Sequence, residues 1–259
     1  MEWVDMSLVR ELPYTHPYRW DGTLFGGPRL WRPNDLGSAL ALWLDAEDAA
    51  SITLNGATVS QWSDKSGNNR NATQATAANQ PTWTASGLNN KPVVRFDGAG
   101  DTMVFPQVTT LRTFVALTKW TDGSGDFRVI IGDSTDYYPF HGATAIAGTL
   151  FHPYLTPPSV LNGGKSINGV MQAAGSLLSR YITPTIHVLT TTAPVSVSSF
   201  DDRNLENRGF FGDYAEMIIL DSPVSESDRQ KLEGYLAWKW ALESSLPSGH
   251  PYKNRAPTQ

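Results

Sequence analysis

Carboxylates, histidines and aromatic rings are the side chains of this chain that could do chemistry, and their spacing limits what that chemistry can be. Asp97 and Asp101 bracket a glycine-rich turn, DGAGD, and Asp64, Ser66 and Asn68 share a second turn-rich stretch, DKSGNNRNA. Calcium selects hard oxygens carried on loops, which makes Asp64, Asn68, Asp97 and Asp101 candidate calcium ligands. The plainer reading is that Asp and Asn in such turns bond their own backbone. Five histidines, at 16, 141, 152, 187 and 250, are dispersed with no HxH or HExxH, which argues against zinc. Glycoside hydrolysis with retention needs two facing carboxyl groups about 5–5.5 Å apart. On a strand that pair is expected as Glu-x-Asp-x-x-Glu, and no such run occurs. Asp45, Glu47 and Asp48 sit where a strand runs into a loop, and Glu216 stands alone in YAEMIIL. His187, the isolated candidate for lyase chemistry, reads better as a core or strand-face residue. Phosphate-loop, GxGxxG and GxSxG motifs are missing. The expectation is a protein that is not an enzyme.

Aromatic side chains offer a binding surface instead. A sugar site pairs ring faces with planar polar groups that fix hydroxyls. The stretch GDSTDYYPFHGATAIAGTLFHPYLTPP, residues 132–158, supplies Tyr137, Tyr138, His141, His152 and Tyr154, and Trp120 with Asp122 ends the preceding strand. These seven are the candidate carbohydrate-binding residues. The competing reading places Phe140 and Phe151 in the core and the tyrosines at an interface.

The elements that would hold these loops are mostly strands. ALALWLD is a short apolar strand, and Asn55-Gly56 between two alternating runs predicts a hairpin, because such a turn needs positive φ. KPVVRFDGAGDTMVF gives strand, turn, strand. LRTFVALTKW alternates Phe114, Ala116 and Thr118 against Val115, Leu117 and Lys119. DFRVIIGD, ITPTIHVLTTT and GDYAEMIIL add strands, and VLNGGKSINGVMQ predicts a hairpin turning at Gly163-Gly164. A single helix follows Ser225, whose capping arrangement is completed by Asp228. Leu232, Leu236 and Trp240 stripe it, with Tyr235 and Trp238 widening the apolar face, and Pro247 is expected to stop it.

Residues 1–37 are different in kind. Prolines at 13, 17, 28 and 33 and a Gly-Gly pair interrupt any periodicity, so an extended segment is expected. It carries Tyr14, Tyr18, Trp20, Phe25 and Trp31. Those rings pack either across their own domain or onto a neighbouring subunit, where such side chains serve as anchors. The division is an arm, 1–37, and a domain, 38–259.

Bulk properties narrow the partners. The net charge of −5 argues against nucleic acid and against a basic membrane patch. Only 17% of residues are charged, with 22 glycines and 17 prolines, which suits strands joined by long loops. Without cysteine there are no disulfides, catalytic thiols or thiolate zinc sites. Such a chain suits assembly in a reducing bacterial cytoplasm. MEWVDMSLVRELPY has no apolar core of a secretory signal, and no run approaches a membrane span.

LALWLDA (40–46), QWSDKSGNNRNA (61–72), PVVRFDGAGDTM (92–103), GDYAEMIILD (212–221), EGYLAWKWAL (233–242) and LPSGHPYK (246–253) together resemble the laminin-G/concanavalin-A-like lectin domains of bacteriophage tail and fibre proteins. The likeness spans roughly residues 38–256. It implies an all-β, concanavalin-A-like jelly-roll β-sandwich with one α-helix in the C-terminal region, preceded by the extended arm. The two ends should meet as adjacent strands, with the helix on the edge. It further implies a non-enzymatic virion component that acts outside the cell, oligomeric, attached to other virion proteins through the arm and recognising a host surface polysaccharide. A purely structural or adhesive module is the alternative, and a glycan-cleaving enzyme a third. Laminin-G relatives often bind calcium. Residues 104–211 match only in strand character, and they hold the expected ligand-facing loops.

Overall fold

A computed structural model describes residues 29–122, 127–135, 139–142, 148–201 and 209–259. The fold is all-β. Its strands are β1 (Leu40–Asp45), β2 (Ile52–Asn55), β3 (Thr58–Trp62), β4 (Ala72–Thr73), β5 (Thr82–Leu88), β6 (Lys91–Asp97), β7 (Val104–Trp120), β8 (Val129–Ile131), β9 (Phe140–His141), β10 (Lys165–Ile167), β11 (Val170–Met171), β12 (Thr185–Ser199) and β13 (Phe211–Leu220). Helix α1 (Pro158–Leu161) is a single turn, and α2 (Glu226–Lys239) is the helix expected after Ser225. The Ser225 hydroxyl accepts the Asp228 amide at 3.1 Å, as the capping pattern requires.

β13 organises the sheet. One side pairs with β7 along its length, Gly212–Leu220 opposite Trp120–Thr113. The other side is shared: Phe211–Tyr214 pair with β6, and Glu216–Leu220 pair with β1. From β6 the order runs β5, β3, β4 and back to Val104 of β7, which closes a ring of strands. β12, β10 and β11 extend the sheet beyond β7.

Both faces of the long strands are buried, where sequence alternation suggested one more buried than the other. Phe114, Ala116, Met217, Ile219 and Leu189 face the interior cluster. Val115, Leu117, Ile218, Ile186 and Val188 face a second cluster made with Leu232, Tyr235, Leu236 and Trp240 of α2. The helix therefore lies on the sheet face, not on its edge. Each Val, Leu, Ile, Phe or Met among them, fully buried, contributes roughly 1.5–3 kcal/mol. Register shifts by one residue between Tyr214 and Glu216. That bulge gives β13 an extra residue and lets Glu216 join Ala215 on the helix side.

Glu216 is wholly buried and ties three elements together. One carboxylate oxygen accepts Trp43 Nε1 and Tyr235 Oη, each at 2.7 Å. The other accepts Lys239 Nζ at 2.7 Å and Trp240 Nε1 at 2.9 Å. Lys239 also meets Asp45 at 2.7 Å, and Lys65 reaches Asp45 from the loop side at 2.8 Å. Burial works against every charge here, pushing Glu216 up and Lys239 down. Lys239 nonetheless ends raised because Asp45 and Glu216 surround it, and Asp45 ends lowered by Lys239 and Lys65. The isolated glutamate of YAEMIIL is the hub of the fold.

The loop after β3 covers the outer edge of β1. Asp64 Oδ1 accepts the Trp43 amide at 3.0 Å, and the Lys65 amide donates to Trp43 O at 2.8 Å. Asn68 Nδ2 donates to Leu40 O and Ala41 O, and Arg70 donates to Ala41 O. Backbone groups that would template another strand are thereby occupied.

Several expectations shift. Leu54 is followed by the predicted hairpin, with Gly56 at φ 66, but the second hairpin turns at Asn168-Gly169, between β10 and β11. Gly163-Gly164 instead runs against β12, where a Cβ on Gly163 would lie 1.7 Å from Thr190 O. Helix α2 ends at Lys239, well before Pro247. There Trp240 turns onto Glu216, Ala241 adopts φ 54, and Asn89 Nδ2 takes the Trp240 carbonyl at 2.7 Å. Trp238 lies half-buried under the C-terminal segment, its indole donating to Tyr252 O. Trp31, expected as an arm anchor, is a core residue 3% exposed, with its ring edge-on to Tyr235 at 6.2 Å. Its amide donates to Pro257 O, so residues 29–37 belong to the domain body. Tyr14, Tyr18, Trp20 and Phe25 lie outside the described residues.

Candidate functional site

Beyond the end of α2 the outer sheet face is open, and register decides what it shows. Thr82 of β5 pairs with Arg95 of β6, Arg95 with Asp213 of β13, and Asp213 with Lys119 of β7. Directly paired residues point to the same face, so these four form one polar row across four strands. One step along lie Asp97 and Phe211, also paired, and Thr121, whose amide donates to Phe211 O at 3.0 Å. The two rows floor a cleft of about 600 Å³. Ile182, 57% exposed, forms an apolar rim, and the Asp97–Asp101 turn forms another wall.

The floor is held rigidly. Arg95 grips Asp213 with Nε at 2.6 Å and Nη2 at 3.0 Å, and the Asp213 side chain is only 5% exposed. Gly98, at φ 70, approaches Phe211 so closely that a Cβ would lie 2.6 Å from it. Arg128 donates to Gly98 O and braces the Phe211 ring from 5.4 Å. Phe211 is half-buried and Lys119 likewise.

The acidic turn is built around its own backbone. Asp97 Oδ1 accepts the amides of Ala99, Gly100 and Asp101, and Asp101 Oδ2 accepts the Asp97 amide. Burial would raise Asp97, but the three amides together with the Arg128 charge outweigh it and hold the carboxyl below its usual range. Asp101 is pushed up to about 6 by burial and by the neighbouring Asp97 charge, against the pull of the Asp97 amide. Calcium takes about six to eight oxygens, and this turn leaves one oxygen on each carboxylate. Asp64 accepts the amides of Trp43, Ser66 and Arg70 together with the Ser66 hydroxyl. No group of three or more His, Asp or Glu side chains that could hold a metal occurs among the described residues.

Asp101→Asn keeps an acceptor for the Asp97 amide and removes the charge. Between about pH 4 and 6 the folded chain holds a proton on Asp101 that the unfolded chain has released, so stability falls as pH rises through that window. The variant should lose this fall and be about 1 kcal/mol more stable at pH 7, screening included. Urea denaturation at pH 4.5 and 7 checks it. Parallel curves for both proteins would show that Asp101 titrates normally.

No protein-family model, curated protein or solved structure matches this chain. Function therefore has to be argued from the site.

Of the candidate carbohydrate-binding residues that are described, Trp120 lines this cleft. It is 1% exposed, with its ring packed 4.4 Å from Phe210, so it belongs to the core and not to a sugar platform. Asp122 is exposed just beyond. His141 contributes backbone pairing between β9 and β8. His152 caps its own turn, Nδ1 accepting the amides of Tyr154 and Leu155 at 3.1 Å, and its ring stacks on Phe127. Tyr154 is 89% exposed beside it. Tyr137 and Tyr138 lie outside the described residues.

Two buried clusters imitate active sites without the required order. His187 bonds Thr118 Oγ1 at 3.2 Å, and burial pushes it down to about 3, which leaves it a neutral core histidine. Ser166 and His250 both bond Glu233, so the carboxylate stands between serine and histidine and the imidazole does not reach the hydroxyl.

Proposed function

We propose that this chain is a non-enzymatic glycan-binding component of a bacteriophage virion, a concanavalin-A-like jelly roll whose ligand lies in the cleft over Arg95, Asp213 and Lys119. The observation that carries this reading is the two-row floor. It combines planar polar side chains, two threonine hydroxyls and apolar Phe211 and Ile182 at one open end of a rigid sheet, the mixture that sugars require. The expected ligand loops leave the sheet at Trp120 and Thr121, beside this floor. Attachment to other virion proteins falls to the segment before residue 29, and oligomerisation multiplies weak single-site affinity.

Titration of host surface polysaccharide into the purified chain tests it. Phe211→Ala and Ile182→Ala should each weaken binding about tenfold, the scale of a lost apolar ring contact, with the fold intact by circular dichroism. Saturable binding untouched by both variants would move the ligand away from the cleft.

One observation favours a second reading, glycan cleavage. Asp97 and Asp101 are driven in opposite directions, as an acid and its partner would be. Both leave the same five-residue turn, however, and do not face each other across the cleft. Release of reducing ends by the wild type, abolished in Asp101→Asn, would establish it.

A further inference from the structure

We infer that the cleft takes an acidic saccharide, its carboxylate seated over Lys119 and the outer edge of Arg95; this deepens the glycan reading above and rests on it. Along the floor the charges run Arg95, Asp213, Lys119, fixed by strand register. Asp213 is engaged by Arg95 through both of its oxygens. Lys119 makes no hydrogen bond or ion pair among the described residues, although it lines the same cleft and is half-buried. The row thus carries two positive charges against one negative, and the other carboxylates of the cleft, Asp97 and Asp101, stand on its wall without an ion pair to Lys119. An anionic ligand supplies the charge-assisted partner that Lys119 lacks.

Arg95 adds directionality. Its Nε and Nη2 hold Asp213, which leaves Nη1 unbonded among the described residues, and the side chain is 47% exposed. A carboxylate over the row meets Arg95 on one side and Lys119 on the other. The opposite wall is acidic, since Asp97 and Asp101 each keep one carboxylate oxygen without a bond among the described residues. Those oxygens accept sugar hydroxyls and repel a second anion, so the wall fixes which end of the ring points to Lys119. Phe211 and Ile182 take the C–H face. A neutral sugar would use the wall and the apolar rim but leave Lys119 idle.

The test is calorimetric titration of the full chain with galacturonate, glucuronate and sialic acid oligosaccharides and with their carboxyl-reduced counterparts. At least one acidic oligosaccharide should bind ten or more times tighter than its reduced form, with affinity falling as salt rises. Lys119→Gln should lose that preference, and Lys119→Arg should keep it. Equal binding of acidic and reduced forms, or a preference that survives in Lys119→Gln, overturns the inference and leaves the cleft reading standing if Phe211→Ala still weakens both. No binding of either form, or binding indifferent to Phe211→Ala, overturns the cleft reading and this inference with it.

Discussion

Glu216→Ala is expected to destabilise the fold by about 3–5 kcal/mol, the range for breaking a buried charge pair from one side. The carboxylate accepts four donors, two indoles, a phenol and an ammonium, and all four are buried. Trp43 and Trp240 indole groups lose their acceptor outright, while Lys239 retains Asp45 and Tyr235 retains a 3.2 Å contact with Lys239. The strain falls on β1, β13 and α2 together, since each supplies part of the cluster. At about 2–4 °C per kcal/mol for a domain of this size, the melting temperature should drop by about 10 °C. Urea denaturation followed by tryptophan fluorescence reads the effect directly, because two of the reporters touch the mutated site. A loss under 1 kcal/mol would mean that the network is dispensable and that the helix is held by Leu232 and Leu236 alone.

Asp64→Ala comes second, at about 2–4 kcal/mol, from the loss of a part-buried carboxylate that receives three amides and a hydroxyl. Its consequence differs in kind. Without Asp64 the loop that covers β1 loses its pivot, and the Trp43 amide is left without a partner. An uncovered apolar edge strand invites pairing with another chain. The variant should therefore aggregate in proportion to protein concentration, seen by light scattering during mild heating. Asp64→Asn, which keeps an acceptor, should recover part of the stability. If Asp64→Ala stays monomeric and melts with the wild type, Asn68 and Arg70 suffice to cover the edge.

Local signals in the sequence carried local structure. The Asn55-Gly56 turn, the Ser225 cap and the Leu232–Leu236–Trp240 stripe each rest on neighbours a few residues apart, and each stands where expected. The pairing of the first and last strands followed from family likeness and is present as β1 with β13. The site was harder to see. Thr82, Arg95, Lys119 and Asp213 are separated by up to 131 residues in sequence, and only strand register makes them a row. No spacing rule announces that. Glu216 was legible in principle: a lone carboxylate in an apolar strand needs buried donors, and WKW twenty-odd residues on supplies them. Trp120 misled because an aromatic at a strand end fits a binding platform as well as a core. Which face it points to is again a matter of register.

The distance between β1 and its partner also sets a timetable. Trp43 and Glu216 are 173 residues apart. At about 5–20 residues per second, a ribosome needs roughly 10–35 s to deliver Glu216 after Trp43 has emerged. During that interval LALWLD has neither β13 nor α2 to cover it. Its early protector is the 64–70 loop, some 20 residues behind it. The covering loop is then as much a guard for the nascent chain as a part of the finished protein. Stalled chains ending near residue 100 should hold β1 shielded on one edge, while completion of the barrel waits for the last strand to leave the exit tunnel.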